Sequence, residues 1–209
     1  MIVYVETNFV LELALQQQEQ RPCHHLLELA EHKTIDLAIP AYAISEPHEK
    51  LIRKARERKA LSTKLRAELT ELGRSSHHAD SLEQYAHIAK LLVDSSLEEN
   101  QRLEEMQTRL LNTAAIIPTN DETLRGALAA QRQLGLGPQD AIVYVAVKQH
   151  LYSHQNQCCF INKNIRDFSS PAVQDQFKVH HCPVIPNFSD GLNYVEAMLL
   201  RISASPPPG

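Results

Sequence analysis

The sequence predicts an α/β protein, a parallel sheet flanked by helices, and three observations carry that prediction. Apolar runs of strand length recur at wide intervals: Ile2 to Val5, Ile35 to Ile39, Ala114 to Ile117, Cys158 to Ile161 and Val184 to Ile185. Between them, leucines and alanines fall at helical spacing, and strands that alternate with helices build βα units. Glycine is scarce, at six of 209 residues, which argues against a sandwich full of tight turns.

The first strand, Ile2 to Val5, ends at Glu6, and Thr7-Asn8 is placed to cap the helix that follows. Glu6, Asn8 and Glu12 interrupt the apolar start and no basic region precedes it, so it reads as a buried strand and helix, not a signal peptide. Leu11 and Leu15, then Leu26, Leu27 and Ala30, outline a first helix pair. The second strand ends at Pro40. Ile44, Leu51, Ile52 and Ala55 mark another helix, and Leu61, Leu65, Leu69 and Leu72 step along one face by three or four. From about Pro47 to Asn112 nothing reads as a strand. The segment is longer than a crossover needs and is expected to hold a helical insertion over about 55–112, turning at Gly73 to His78. Asp140 heads the apolar helix DAIVYVAV, and the fourth strand runs into Asn162-Lys163-Asn164-Ile165-Arg166-Asp167-Phe168. Residues 1–202 are expected to form one domain, and the proline-rich residues 203–209 a disordered tail.

Composition narrows the function. The apolar share is 43% and the charged share 22%, as in an ordinary globular protein. There is no tryptophan and aromatics make up 5%, too few for a base-stacking platform. The net charge of -4 means that any nucleic-acid site must be local. No apolar run of eighteen residues exists, so no membrane span is expected. Cys23, Cys158, Cys159 and Cys182 fit no secreted disulfide pattern and read as reduced thiols in a cytoplasmic protein. His24-His25, His77-His78 and His180-His181 lack zinc-site spacing. Dinucleotide-binding, P-loop and serine-hydrolase motifs are all missing from the sequence.

Ligands of open α/β sheets gather outside the carboxyl ends of the strands. Glu6 ends the first strand, Glu46 lies six residues past Pro40, Asp140 starts a helix, and Asp167 follows the fourth strand. Each has a plainer use: a solvated loop carboxylate, an exposed helix face, a helix N-cap, a brace for a turn. The joint pattern is what matters. Converging carboxylates raise one another's pKa unless a cation lies between them, and an oxygen-only cluster suits Mg²⁺ or Mn²⁺. Such an ion lowers the pKa of bound water and stabilises attack on phosphate.

These stretches, VYVETNFVLEL at 3 to 13, PAYAISEPHEKL at 40 to 51, GPQDAIVYVAV at 137 to 147 and FINKNIRDF at 160 to 168, resemble in their order the PIN domain family of metal-dependent nucleases. The resemblance implies a Rossmann-type three-layer fold. It also implies an acidic site of Glu6, Glu46, Asp140 and Asp167, with Asn164 as a further metal ligand. Thr7, Asn8 and Asn162 would orient the ligands. Glu6 stands where the family usually has Asp, Asn162 where it commonly has Thr or Ser, and Asn164 is neutral where some members have Asp. The implied activity is Mg²⁺- or Mn²⁺-dependent cleavage of RNA. Two other roles come with the resemblance: a non-catalytic RNA-binding or protein-interaction module, and the toxin of a toxin–antitoxin pair. Many members dimerise, so a homodimer is an expectation by analogy.

Between Lys50 and Arg66, eight basic residues against Glu57 alone leave a net +7 in a chain of total -4. That asymmetry fits a phosphate backbone; a helix balanced by Asp94, Glu98, Glu99, Glu104 and Glu105 fits it too. By position, Lys50, Arg53, Lys54, Lys163 and Arg166 are the candidates to meet substrate phosphates, setting affinity and not sequence choice.

Overall fold

The computed structural model describes residues 1–74, 82–154, 156–164, 168 and 170–204. Its strands are β1 (Ile2–Tyr4), β2 (Asp36–Pro40), β3 (Ala115–Ile117), β4 (Cys158–Ile161) and β5 (Val184–Ile185). They form one sheet, parallel throughout, in the order β3-β2-β1-β4-β5. The helices among the described residues are α1 (Thr7–Ala14), α2 (Gln20–Glu31), α3 (Ala41–Leu72), α4 (Leu82–Thr113), α5 (Asp121–Leu134), α6 (Pro138–Ser153), α7 (Pro171–Lys178) and α8 (Phe188–Ala204). None of them is long and apolar enough to cross a membrane.

Strand side chains alternate between two cores, as the pleat requires. Val3, Leu37, Ile39, Cys159 and Ile161 face one side with Phe9, Leu13, Leu26, Leu27, Leu103 and Leu110. Ile2, Tyr4, Ala38, Cys158 and Phe160 face the other with Ala141, Tyr144, Val145 and Phe177. Strands covered on both faces read as unbroken apolar runs, which is why β1, β4 and the buried part of β2 were visible in the sequence. All four cysteines are free and buried.

The last helix packs close to the sheet. A Cβ built on Gly191 of α8 would come 2.4 Å from Cδ1 and 2.8 Å from Cγ1 of Ile161. Gly191→Ala is therefore expected to lose about 1–3 kcal/mol by overpacking. Urea melts check this, with Ile161→Val recovering part of the loss by removing the nearest methyl.

The strandless middle of the chain is α3 and α4, two 32-residue helices packed on each other as the β2–β3 crossover. The leucine face expected from Leu61, Leu65, Leu69 and Leu72 packs only in part. Leu61 and Leu72 are exposed, while Ala55, Arg58, Ser62, Leu65 and Leu69 are covered to varying degrees. A two-helix pair buries only a narrow stripe repeating every 3.5 residues, and Ala89, Ser96, Leu103 and Leu110 form its counterpart seven residues apart on α4. Polar contacts mark the seam: Ser62 Oγ donates to the Ala89 carbonyl at 2.7 Å, and Arg58 forks onto Glu99 at 2.7 and 3.0 Å. Gly73 caps α3, and most of the expected turn, Ser75 to His78, lies outside the described residues.

At the other end α8 runs through Ala204, two residues past the point where the tail was expected to begin. Ser203 Oγ donates to the Leu200 carbonyl at 2.9 Å and continues the helix. The rest of the expected tail, residues 205–209, lies outside the described residues.

Candidate active site

The chain leaves β1 toward β2 and β3 on one side and returns through β4 and β5 on the other, so strand order reverses between β1 and β4. A crevice opens outside the carboxyl ends of such a pair. Here it is a cleft of about 440 Å³ lined by Glu6, Thr7, Asn8, Glu46, Lys50, Gln139, Asp140, Asn162, Lys163 and Asn164, with Leu11 and Val143 on its apolar wall. Three of the four expected carboxylates thus meet at one place. Asp167 and Arg166 lie outside the described residues, and Arg53 and Lys54 stand farther along α3, beyond the lining.

Glu6 holds its extended backbone (φ -133°, ψ -170°) as the N-cap of α1, and its Oε2 accepts the Asn8 backbone N–H at 3.0 Å. The cap of this helix is therefore Glu6 itself and not Thr7-Asn8. The side chain is buried, and among the described residues Oε1 has no hydrogen-bond partner. Burial, opposed by the hydrogen bond to Asn8 and reinforced by the charges of Glu46 and Asp140, pushes the carboxyl up to about 7.

Thr7 does not orient that first carboxylate. Its hydroxyl donates to Oε2 of Glu46 and so joins the first helix to the third. Glu46 immediately precedes Pro47, which lacks an N–H and crowds the turn before it. Gln107 of α4 holds that turn: its Nε2 donates to the Ile44 carbonyl at 2.6 Å, and its Oε1 accepts from His48 Nε2 at 2.9 Å.

Asp140 is not an N-cap. Gly137 occupies that position, and Asp140 is the third residue of α6, in the first turn where the helix dipole favours a carboxylate. A Cβ on Gly137 would sit 3.2 Å from Asp140 Oδ2, so glycine leaves the carboxylate its room. Asn164 Nδ2 donates to Asp140 Oδ1 at 2.9 Å. Asn162, buried, accepts the Asn164 backbone N–H on its Oδ1 at 2.7 Å, an Asx turn that does what a threonine hydroxyl does more weakly. Its Nδ2 is buried and has no partner among the described residues.

Lys163 lines the cleft, but its ammonium is held from behind, 2.7 Å from Glu12 Oε1 and 3.3 Å from Glu19 Oε2. Burial alone would lower its pKa; the two carboxylates outweigh that and raise it. Glu12 is buried in α1, its Oε2 accepts the Glu19 backbone N–H at 2.8 Å, and Glu19 in turn accepts the N–H groups of Phe188 and Ser189. This network was missed in the sequence, although a signal was there: an acid inside the apolar run Phe9 to Leu15 needs a cation.

The donors of the carboxylate set are oxygens, and Glu6, its pKa raised chiefly by burial and further by two neighbouring acids, with Oε1 unpartnered among the described residues, is the environment a hard divalent cation relieves. Among the described residues no three His, Cys, Asp or Glu side chains stand close enough together to hold an ion by themselves. No zinc cluster is found among them either.

A five-stranded parallel sheet with helices on both faces and acids at its switch point defines a three-layer α/β protein with an acidic cleft. A family model described as PIN domain matches residues 3–168, and the chain belongs to the PIN domain family. PIN domains are generally nucleases that use divalent metal ions; they commonly bind RNA, and some pair with antitoxins. Comparison with curated proteins and with solved structures gave no match.

Proposed function

We propose that this protein is an endoribonuclease that hydrolyses RNA phosphodiester bonds in the cleft between β1 and β4, using Mg²⁺ or Mn²⁺. The observation that carries the reading is the carboxylate oxygen of Glu6, buried and unpartnered among the described residues, in a cleft shared with Glu46 and Asp140. Glu6, Glu46 and Asp140 would not hold the ion by themselves; Asp167 and Asn164, from the segment after β4, would complete the set. A divalent ion there supplies a water of lowered pKa and offsets charge developing on phosphate. Thr7 fixes the rotamer of Glu46, Asn8 that of Glu6, and Asn162 sets the loop that presents Asn164 to Asp140. Lys50, Arg53, Lys54 and Arg166 would meet the substrate's phosphates. Lys163, already bound to two acids, serves the loop's position instead. On this reading the protein works in the cytoplasm with its thiols reduced, with a second copy or an antitoxin as protein partners.

The test is cleavage of a mixed RNA pool with Mg²⁺ and then Mn²⁺. Wild type is expected to cut only with metal, and Asp140→Asn to lose roughly a hundredfold or more. Equal activity in the two proteins would sink the assignment. Thr7→Val is expected to lose roughly ten- to a hundredfold, the usual cost of removing a group that orients a ligand, with Thr7→Ser keeping most of the rate.

A second reading, an RNA-binding module without catalysis, is favoured by two observations: among the described residues no three His, Cys, Asp or Glu side chains stand at metal-ligating spacing, and the first acid is Glu6. RNA binding without cleavage in either metal, together with no calorimetric Mn²⁺ binding, would select it.

A further inference from the structure

We infer that α3 carries a phosphate rail, the exposed ridge Lys50, Arg53, Arg56 and Lys59, along which a polynucleotide backbone leaves the cleft. The identity of the polyanion rests on the nuclease reading; the rail itself rests on the geometry of α3. The four residues are spaced three apart, so they form a single i±3 ridge with neighbouring Cβ atoms about 5–6 Å apart. Lys50 lines the cleft, and the ridge rises about 13 Å from it to Lys59.

All four side chains are exposed, and among the described residues none of them is in a salt bridge. The competing explanation, neutralisation by the acids of α4, accounts for Arg58, which lies off the ridge and is bound to Glu99. On α4 itself Glu98 pairs with Arg102, and Glu105 accepts from Gln101. Each step of three residues turns 300° about the helix, so the ridge winds from the cleft side of α3 to its outer side. Glu57, the one acid between Lys50 and Arg66, falls about 100° from Arg56 but lies four residues past Arg53 and about 40° round the helix from it, a neighbour of the ridge at that one step. One further step of four leads to Thr63, and three more to Arg66, both exposed.

Among the described residues that line the cleft none is aromatic, which suits a grip by charge and not by stacking. A row of cations that starts beside three carboxylates in a chain of net charge -4 suits a strand whose phosphates must approach those acids. Such contacts fix the path of the strand and carry no sequence information.

The test uses the full chain carrying Asp140→Asn, so that bound RNA stays intact, and a fluorescent single-stranded RNA of about 20 nucleotides. Anisotropy titrations run between about 50 and 200 mM KCl. The triple variant Arg53→Ala, Arg56→Ala, Lys59→Ala is compared with a charge-matched control, Arg125→Ala, Arg132→Ala, Lys178→Ala, whose residues are also exposed. The ridge variant is expected to bind roughly tenfold or more weakly, its log–log salt slope falling by about two for three lost contacts, with the control unchanged. An unchanged slope, or an equal loss in the control, overturns the rail. Displacement of the RNA by polyglutamate at equal charge also overturns it, and points to an acidic protein as occupant. Ridge-dependent binding in a protein that never cleaves RNA leaves the rail standing and defeats the nuclease reading. Metal-dependent cleavage by wild type, with binding that ignores the ridge, defeats the rail alone.

Discussion

Lys163→Met is expected to cost about 3 kcal/mol of folding stability, and adding Glu12→Gln to the same chain is expected to restore most of it. Glu12 is 2% exposed, with Lys163 2.7 Å from its Oε1. Removing the cation leaves a buried carboxylate uncompensated, which is far costlier than the pair's net worth. The ammonium is itself about one-third open to solvent at 32% of its side-chain surface, so the estimate sits at the low end for a broken buried pair. Glutamine at position 12 removes the charge and keeps an acceptor for the Glu19 backbone N–H. Urea unfolding of wild type, both single variants and the double variant measures the coupling. A loss under about 0.5 kcal/mol in the lysine variant would mean a surface cation free for phosphate, and would return Lys163 to the substrate-binding set.

Glu6 supplies the second large effect, and it depends on pH. Its folded pKa, about 7, lies above the ordinary value of 4.5, so the folded state binds more protons between those two values. Stability is then fully present below about pH 4.5 and is lost as pH rises toward and through 7. The span corresponds to about 3 kcal/mol at most, roughly 6–12 °C in Tm for a chain of this size. In metal-free buffer, wild type is expected to melt lower at pH 7.5 than at pH 5, and Glu6→Gln to lose most of that difference. Adding Mn²⁺ is expected to raise the melting temperature more at the higher pH, because the cation favours the ionised carboxylate that burial penalises. A pH profile identical in wild type and Glu6→Gln, with no response to Mn²⁺, would show that Glu6 keeps neither its proton nor an ion.

Much of the fold was legible because of where the strands sit. Val3, Leu37, Ile39, Cys159 and Ile161 meet helices on one face while Tyr4, Ala38 and Phe160 meet them on the other, and burial on both sides leaves no polar residue to blur the run. Glu6 and Glu46 were legible for a related reason: a carboxylate directly after a strand, or in the first turns of the next helix, falls at one edge of a parallel sheet whatever the strand order. Asp140, by contrast, opens α6, the second helix after β3, and showed only as an acid heading an apolar helix. Side-chain partnerships were not legible. Thr7 stands beside Glu6 in the chain and bonds Glu46, 39 residues away. Lys163 looks like a phosphate ligand in the string NKN, and α1 and the loop before α2 place two acids behind it.

What the sequence determined alone is the alternation of apolar strands with helices and the acids that follow the first strand and fall in the first turns of two of the helices, because both are local patterns of hydrophobicity and chain position. What only the tertiary structure decided is which side of each helix does the work. Leu61 and Leu72 turn out to solvent while Ala55 and Ser62 pack, Arg58 is taken by Glu99, and Lys50, Arg53, Arg56 and Lys59 are left in the open. A helix's period specifies its stripes, but the element packed against it selects the stripe that is buried, and that selection is made across distances in sequence that no local pattern records.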